Sequence, residues 1–315
     1  MKLEEIFIFL SFKTNKMRTT PFVILILSIT FLTGCKPENN KSEEEKAATT
    51  DSTHLSNNSE SSKNIYYRFP SAKEMLTYIK TDKLEYRTDI VNPADNIMDY
   101  HNTKAKTLNL GIYIADLSYM ILFNKTQNAE QYFNVIFNLT RDLRIKIPEE
   151  EKLVERISDN IYIKDSLINI ADQYQNRIID HLISTGKERT LAVISTGSYI
   201  EGLYISLNLI SDFEEDHVAI DKIIDQKYAF INLTRFAQNF EKDLNTKFSL
   251  DYLNEINAFF KKLPVVEEKT HVKRTDEHKL RIEGGKNIKI NRKQFEELKN
   301  KVTSIRTEIV NNKMN

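Results

Sequence analysis

Two carboxylates stand where carboxylates are rare. Asp116 lies between Ala115 and Leu117, and Glu201 between Ile200 and Gly202, each inside a long apolar stretch. A carboxylate removed from water is costly unless a partner compensates it, so each requires one. Tyr113 and Tyr119 lie three positions either side of Asp116, while Tyr199 and Tyr204 flank Glu201. At a spacing of three, Tyr113, Tyr119 and Tyr204 share a face with the acids. One reading is a polar pocket between two central helices, with Asp116 or Glu201 acting as general acid or base. The other is a pair of polar core anchors bonded to an arginine, for which Arg141 and Arg235 are the candidates. We take the second as the working expectation. Under it, removing the charge at position 116 should destabilise the fold.

Other chemistry is sparse, and no catalytic residue is assigned. The six histidines (54, 101, 181, 217, 271 and 278) show no paired spacing on a helix face, so no zinc site and no cofactor are expected. Gly197 and Gly202 are at phosphate-loop distance, but no Lys-Ser or Lys-Thr follows them. Ser198 directly follows Gly197, which fails the nucleophile-elbow pattern of hydrolases. There is no Trp and no aromatic-basic stripe, so nucleic acid is not an expected partner.

The elements that position these residues are helices. Only 7 Gly and 6 Pro occur in 315 residues. Apolar residues recur at helical steps at Tyr132, Ile136, Leu139 and Leu143; at Leu167, Ala171, Tyr174, Ile178 and Leu182; and at Ile220, Ile223, Ile224, Tyr228 and Ile231. Two segments, Leu108 to Phe123 and Leu191 to Ile210, are apolar nearly all round and belong at the centre of a bundle. The second is long enough to span a bilayer, but Glu201 at its middle and several Ser, Thr and Asn residues argue against that. The two segments also resemble each other. Gly111-Ile112-Tyr113-Ile114 matches Gly197-Ser198-Tyr199-Ile200, and Asn138-Leu139-Thr140-Arg141 recurs as Asn232-Leu233-Thr234-Arg235. This pattern reads as a duplicated helical hairpin.

After Pro264 the pattern changes. Leu280 and Ile282 alternate with polar residues before Gly284-Gly285, and Ile288 and Ile290 alternate after it, which predicts a small β-hairpin turning at Gly284-Gly285-Lys286. Asn291 then caps a last helix, with Gln294 at the capping-box position and Phe295, Leu298, Val302, Ile305 and Ile309 along one face. From residue 261 onward there are 15 basic against 8 acidic residues; the remainder holds 30 against 37. The expected fold is mainly α: a helical bundle over 64–263, and a basic hairpin-plus-helix extension over 264–315 packed on it.

The first residues read as an address. An apolar run from Pro21 to Leu32 follows Lys13, Lys16 and Arg18, and leads into Leu32-Thr33-Gly34-Cys35. These four residues resemble the lipobox of bacterial lipoproteins, which implies that the Cys35 thiol receives a diacylglycerol and residues 1–34 are removed. Met17 would open a leader of ordinary length. Cys35 is the only cysteine, so no disulfide forms within the chain. Residues 36–63, charged and rich in Ser and Asn, read as a disordered tether. Lys36 follows the cysteine where an inner-membrane retention signal would place Asp, which favours the outer membrane. The segments from Leu108 to Tyr119 and from Tyr199 to Tyr204 resemble a family of helical Bacteroidetes-type lipoproteins. The resemblance covers roughly residues 65–310 and implies no activity and no functional residue. The expected role is a non-catalytic binding or envelope-assembly protein, with the membrane and an envelope protein as partners. The alternative is an envelope enzyme using Asp116 or Glu201.

Overall fold

In a computed structural model, the structure describes residues 84–313 apart from 161, 215–217 and 275–279. The leader, Cys35 and the tether lie outside the described residues. The protein is mainly helical. A short 3-10 turn, Ala94–Asp99, precedes α1 (Thr103–Leu122), α2 (Thr126–Asp142), α3 (Glu150–Asn160), α4 (Lys164–Ser184), α5 (Glu188–Leu209), α6 (Val218–Gln238) and α7 (Leu244–Phe260). Strands β1 (Val265–Arg274) and β2 (Leu280–Ile288) follow, and then α8 (Arg292–Val310).

The two segments that are apolar all round become α1 and α5, the central pair. Asn102 caps α1 by accepting the Ala105 N–H at 2.8 Å. From Leu108 to Leu122 only Ser118 of α1 is not fully buried. The two glycines let the backbones touch. A methyl on Gly111 would lie 2.0 Å from the Ile194 carbonyl oxygen, and one on Gly197 would lie 2.1 Å from that of Leu108. Each contact joins a glycine to the residue three before the other glycine, so the crossing is quasi-twofold. Gly111 meets Ile194 and Ser198, and Asp116 further along meets Glu201. Both contacts advance in the same sense, so α1 and α5 run parallel.

Each central helix packs on its successor, α1 on α2 and α5 on α6. In α2, buried Thr140 lies 2.9 Å from the Tyr174 hydroxyl of α4. In α6, the matching Thr234 accepts the Asn257 amide of α7. Each repeated Asn-Leu-Thr-Arg block thus bonds through its threonine to a later helix, Thr140 to the second after its own and Thr234 to the next. One expected face is corrected. Tyr228 of α6 is 59% exposed, and the helix buries Phe230 and Leu233 instead, because its inner stripe runs through Ile220, Ile223, Phe230 and Ala237. No helix among the described residues is long and apolar enough to cross a membrane.

The expected hairpin turn at Gly284-Gly285 is also corrected. Leu280–Ile288 is one continuous strand, and it pairs antiparallel with Val265–Arg274, Ile288 opposite Val265 and Gly285 opposite Glu268. The physical reason lies in the phase. Leu280, Ile282, Ile288 and Ile290 are all separated by even numbers, as one uninterrupted period-two strand requires. Its partner carries too few alternating apolar residues to show as a strand in the sequence.

The last helix has its expected capping box: Asn291 accepts the Gln294 N–H, and the Gln294 side chain accepts the Asn291 N–H. Phe295, Leu298, Val302, Ile305 and Ile309 are all buried, so this stripe seats α8 on α5, α1 and α7. That seating carries Arg306 into the core.

Candidate functional site

Glu201 leaves α5 one turn beyond the glycine crossing and is fully buried. Its partner comes from α8. Arg306 donates from Nε to Oε2 and from Nη2 to Oε1, both at 3.0 Å, a bidentate fork. The guanidinium lies 4.7 Å above the Tyr204 ring, which covers its outer face. Burial works against the Arg306 charge, but Glu201 more than offsets this and holds the guanidinium pKa above its ordinary value. Arg141 and Arg235, the expected partners, are both exposed. The correction is geometric: each sits on the outward face of the helix whose Leu and Thr neighbours point inward.

Asp116 is also fully buried and lies close enough to Glu201 to feel its charge. Its Oδ2 accepts the Asn92 N–H at 3.1 Å, and its Oδ1 meets no protein donor. Two ionised carboxylates in contact in a dry core repel each other. Burial, followed by the Glu201 charge, holds the Asp116 pKa well above the carboxylate range, with Arg306 opposing. Burial and the Glu201 charge thus favour the protonated form of Asp116. The cluster pairs the Arg306 guanidinium with the Glu201 carboxylate beside a second buried carboxyl.

The tyrosines do something else. Residues 87–93 form an irregular stretch against α1 and α2, and irregular backbone that is buried must find partners for its polar groups. Tyr119 accepts the Arg87 N–H at 2.8 Å and donates to the Arg87 carbonyl at 3.3 Å. Tyr132 donates to the Asn92 carbonyl at 2.6 Å, and Tyr113 to that of Pro93 at 2.9 Å. Desolvation raises the pKa of each of these phenols, so they remain neutral donors. The Asn92 amide reaches Tyr100 at 3.0 Å and Asn109 at 3.3 Å, and Tyr100 donates to the Val310 carbonyl at 3.1 Å. Burial pushes the Tyr100 hydroxyl up to about 12. Asp116, by accepting the Asn92 N–H, belongs to this same strap. Tyr199, 2% exposed, stands edge-on to Phe230 with ring centroids 4.8 Å apart.

The structure thus brings Asp116, Glu201, Tyr113, Tyr119 and Tyr204 into one network, and leaves Tyr199 in the adjoining aromatic core. Sequence reasoning missed Arg306 and Asn92. Arg306 is legible as a cation on the border of the α8 stripe, four residues after Val302 and three before Ile309. Asn92 sits in a stretch with no periodicity and gave no such signal. Chemically the network can hold a proton and a charge pair in place. A small cavity of about 20 Å³ between α1, α2 and α4 and a larger one at the amino-terminal ends of α1, α5 and α7 are both lined without either carboxylate. Among the described residues no group of three or more His, Cys, Asp or Glu side chains is arranged to hold a metal ion. No protein-family model, curated protein or solved structure matches the chain.

Proposed function

We propose that this chain is a lipid-anchored envelope protein, held to the outer membrane through Cys35, whose helical domain works by binding rather than by catalysis. The observation that carries the second half is the closure of the carboxylate pair. Glu201 is bound on both oxygens by Arg306, and Asp116 holds a backbone N–H, with neither exposed. A general acid or base must come within hydrogen-bond distance of its substrate. Carboxyls that are dry and closed off in this way serve the packing of α1, α5 and α8 instead. That closure supports the binding reading over the acid-base alternative.

The anchor rests on the ordered run of basic residues, apolar run and Leu-Thr-Gly-Cys in the leader. The resemblance to helical lipoproteins of Bacteroidetes-type bacteria and an origin by hairpin duplication belong to the same reading. The duplication draws support from the reciprocal Gly111 and Gly197 contacts and from the paired threonine bonds of Thr140 and Thr234. Two experiments test the proposal. Cells expressing the parent and a Cys35→Ala variant are grown with a clickable fatty-acid analogue, and label is expected on the parent alone. Label retained on the variant refutes the anchor. Capture of the lipidated parent with crosslinked envelope proteins or ligands, set against a survey of hydrolase activities, tests binding against catalysis.

A further inference from the structure

The amino-terminal ends of α1, α5 and α7 converge on a cavity of about 360 Å³. It is far larger than one water, and lies at the low end of the roughly 300–1,000 Å³ range of small-molecule sites. Val193 is the only apolar side chain that lines it. Two cations reach it. Lys104 enters from α1, its ammonium 4.2 Å above the Phe248 ring. Arg189 enters from α5 and gives one bond, at 3.1 Å, to Asp243. That bond leaves other donors of the guanidinium fork available. Asp243 is already engaged, since it also caps α7 by accepting the Asn245 N–H at 2.8 Å.

Hydroxyls complete the lining. Thr103 and Thr190 contribute from the first turns of α1 and α5, and Thr246 from that of α7. Thr246 is only 1% exposed, yet it lines the cavity, and its hydroxyl makes no hydrogen bond among the described residues. A hydroxyl that bonds no protein group and lines a polar cavity is a donor available to whatever fills it. The amino-terminal end of α5 adds to this. Its N-cap, Lys187, makes no side-chain capping bond. Thr190 donates its N–H to the Lys187 carbonyl at 2.9 Å, and the N–H groups still open in a first turn favour an anion.

We propose that this cavity binds a small hydrophilic anion through a phosphate group, as a phosphomonoester of about sugar size. This deepens the binding reading above and rests on it. Donors enter from three helices, as ammonium, guanidinium and hydroxyl. That arrangement suits the three outward oxygens of a tetrahedral phosphate better than the two coplanar oxygens of a carboxylate. The polar walls and the volume left beyond one phosphate call for a hydroxyl-bearing remainder rather than an acyl chain.

The test uses the full lipidated protein in detergent, titrated calorimetrically with inorganic phosphate, glucose 6-phosphate and glucose. Saturable binding of the two phosphates is expected, and none of glucose. Arg189→Gln and Lys104→Gln should each weaken binding about tenfold, as expected for loss of one charge-assisted hydrogen bond. Thr246→Val, nearly isosteric, should weaken it severalfold while leaving the melting temperature of the unbound protein unchanged, which keeps the test valid if either charge variant folds poorly. Vesicles of zwitterionic and of phosphomonoester lipid form a second arm. Binding confined to the latter, and weakened by the same variants, places the phosphate on a lipid headgroup and supports the site. Absence of phosphate binding in every arm, or binding that all three variants leave unchanged, overturns it. Release of inorganic phosphate from glucose 6-phosphate, abolished by the variants, would refute the non-catalytic reading while leaving the site intact.

Discussion

Replacing Arg306 by Met keeps the aliphatic stem and removes the charge. Glu201 is then left in a fully buried site without its partner. The cost typical of a broken buried pair is about 3–5 kcal/mol, so Arg306→Met should destabilise by about that amount at pH 7. Urea unfolding of parent and variant measures this directly. The double variant Arg306→Met, Glu201→Gln removes the orphaned carboxyl and should recover most of the loss. A double variant as unstable as the single would show that Arg306 matters for packing and not for charge, and would sink the account of the cluster.

Two further outcomes follow from named contacts. Asp116→Asn should be at least as stable as the parent at pH 7, because the Asn carbonyl can accept the Asn92 N–H while its amide donates toward Glu201. The Asp116 pKa is raised in the folded protein, so its contribution is complete below the unfolded value near pH 4 and is lost as pH rises toward the folded value. The advantage of Asn should therefore grow above pH 4, by up to about 1.4 kcal/mol per pH unit, and a variant less stable than the parent across pH 5–8 in chemical denaturation refutes the preference of Asp116 for its protonated form. Gly111→Ala and Gly197→Ala each drive a methyl to about 2 Å from a backbone carbonyl; both should cost about 3 kcal/mol or more, beyond common overpacking, and a melting temperature within 2–3 °C of the parent, worth about 1 kcal/mol at this size, would contradict the close crossing.

The expectation for Asp116 reverses what its sequence context suggests, and the reversal shows where local reasoning stops. Burial is legible from neighbours: an acid between Ala115 and Leu117 in an apolar helix has nowhere else to go. Protonation state is not, because it depends on Glu201, 85 positions away in the sequence, and on which cation arrives. The carboxyl-terminal part offers 15 basic residues. The α8 stripe narrows these to the border positions Lys299, Lys301 and Arg306, and only the rotation of α8 against α5 selects among them. A bidentate carboxylate favours the planar guanidinium over an ammonium, which is a reason, available in the sequence, to prefer Arg306.

The strap at residues 87–93 sets a different limit. Its conformation is held by side chains of α1 and α2 that bond its backbone, not by any pattern of its own. Tyr113 and Tyr119, which looked like a lining for a pocket, are spent on those carbonyls. Their spacing about Asp116 is real, but it matches the spacing of peptide groups in a neighbouring chain segment rather than that of a ligand. The repeat is more informative than the acids for the same reason. Glycine in an apolar helix weakens it by about 1 kcal/mol relative to Ala, so two glycines at matched positions call for a compensating contact, and the contact is the crossing of α1 and α5. That crossing sets the register of both helices at once. Along it the first turns of α1 and α5 line one cavity at one end, and Asp116 meets Glu201 at the other. The polar cavity and the closed charge cluster are thus placed by the same pair of glycines, one left open to solvent and one sealed by α8.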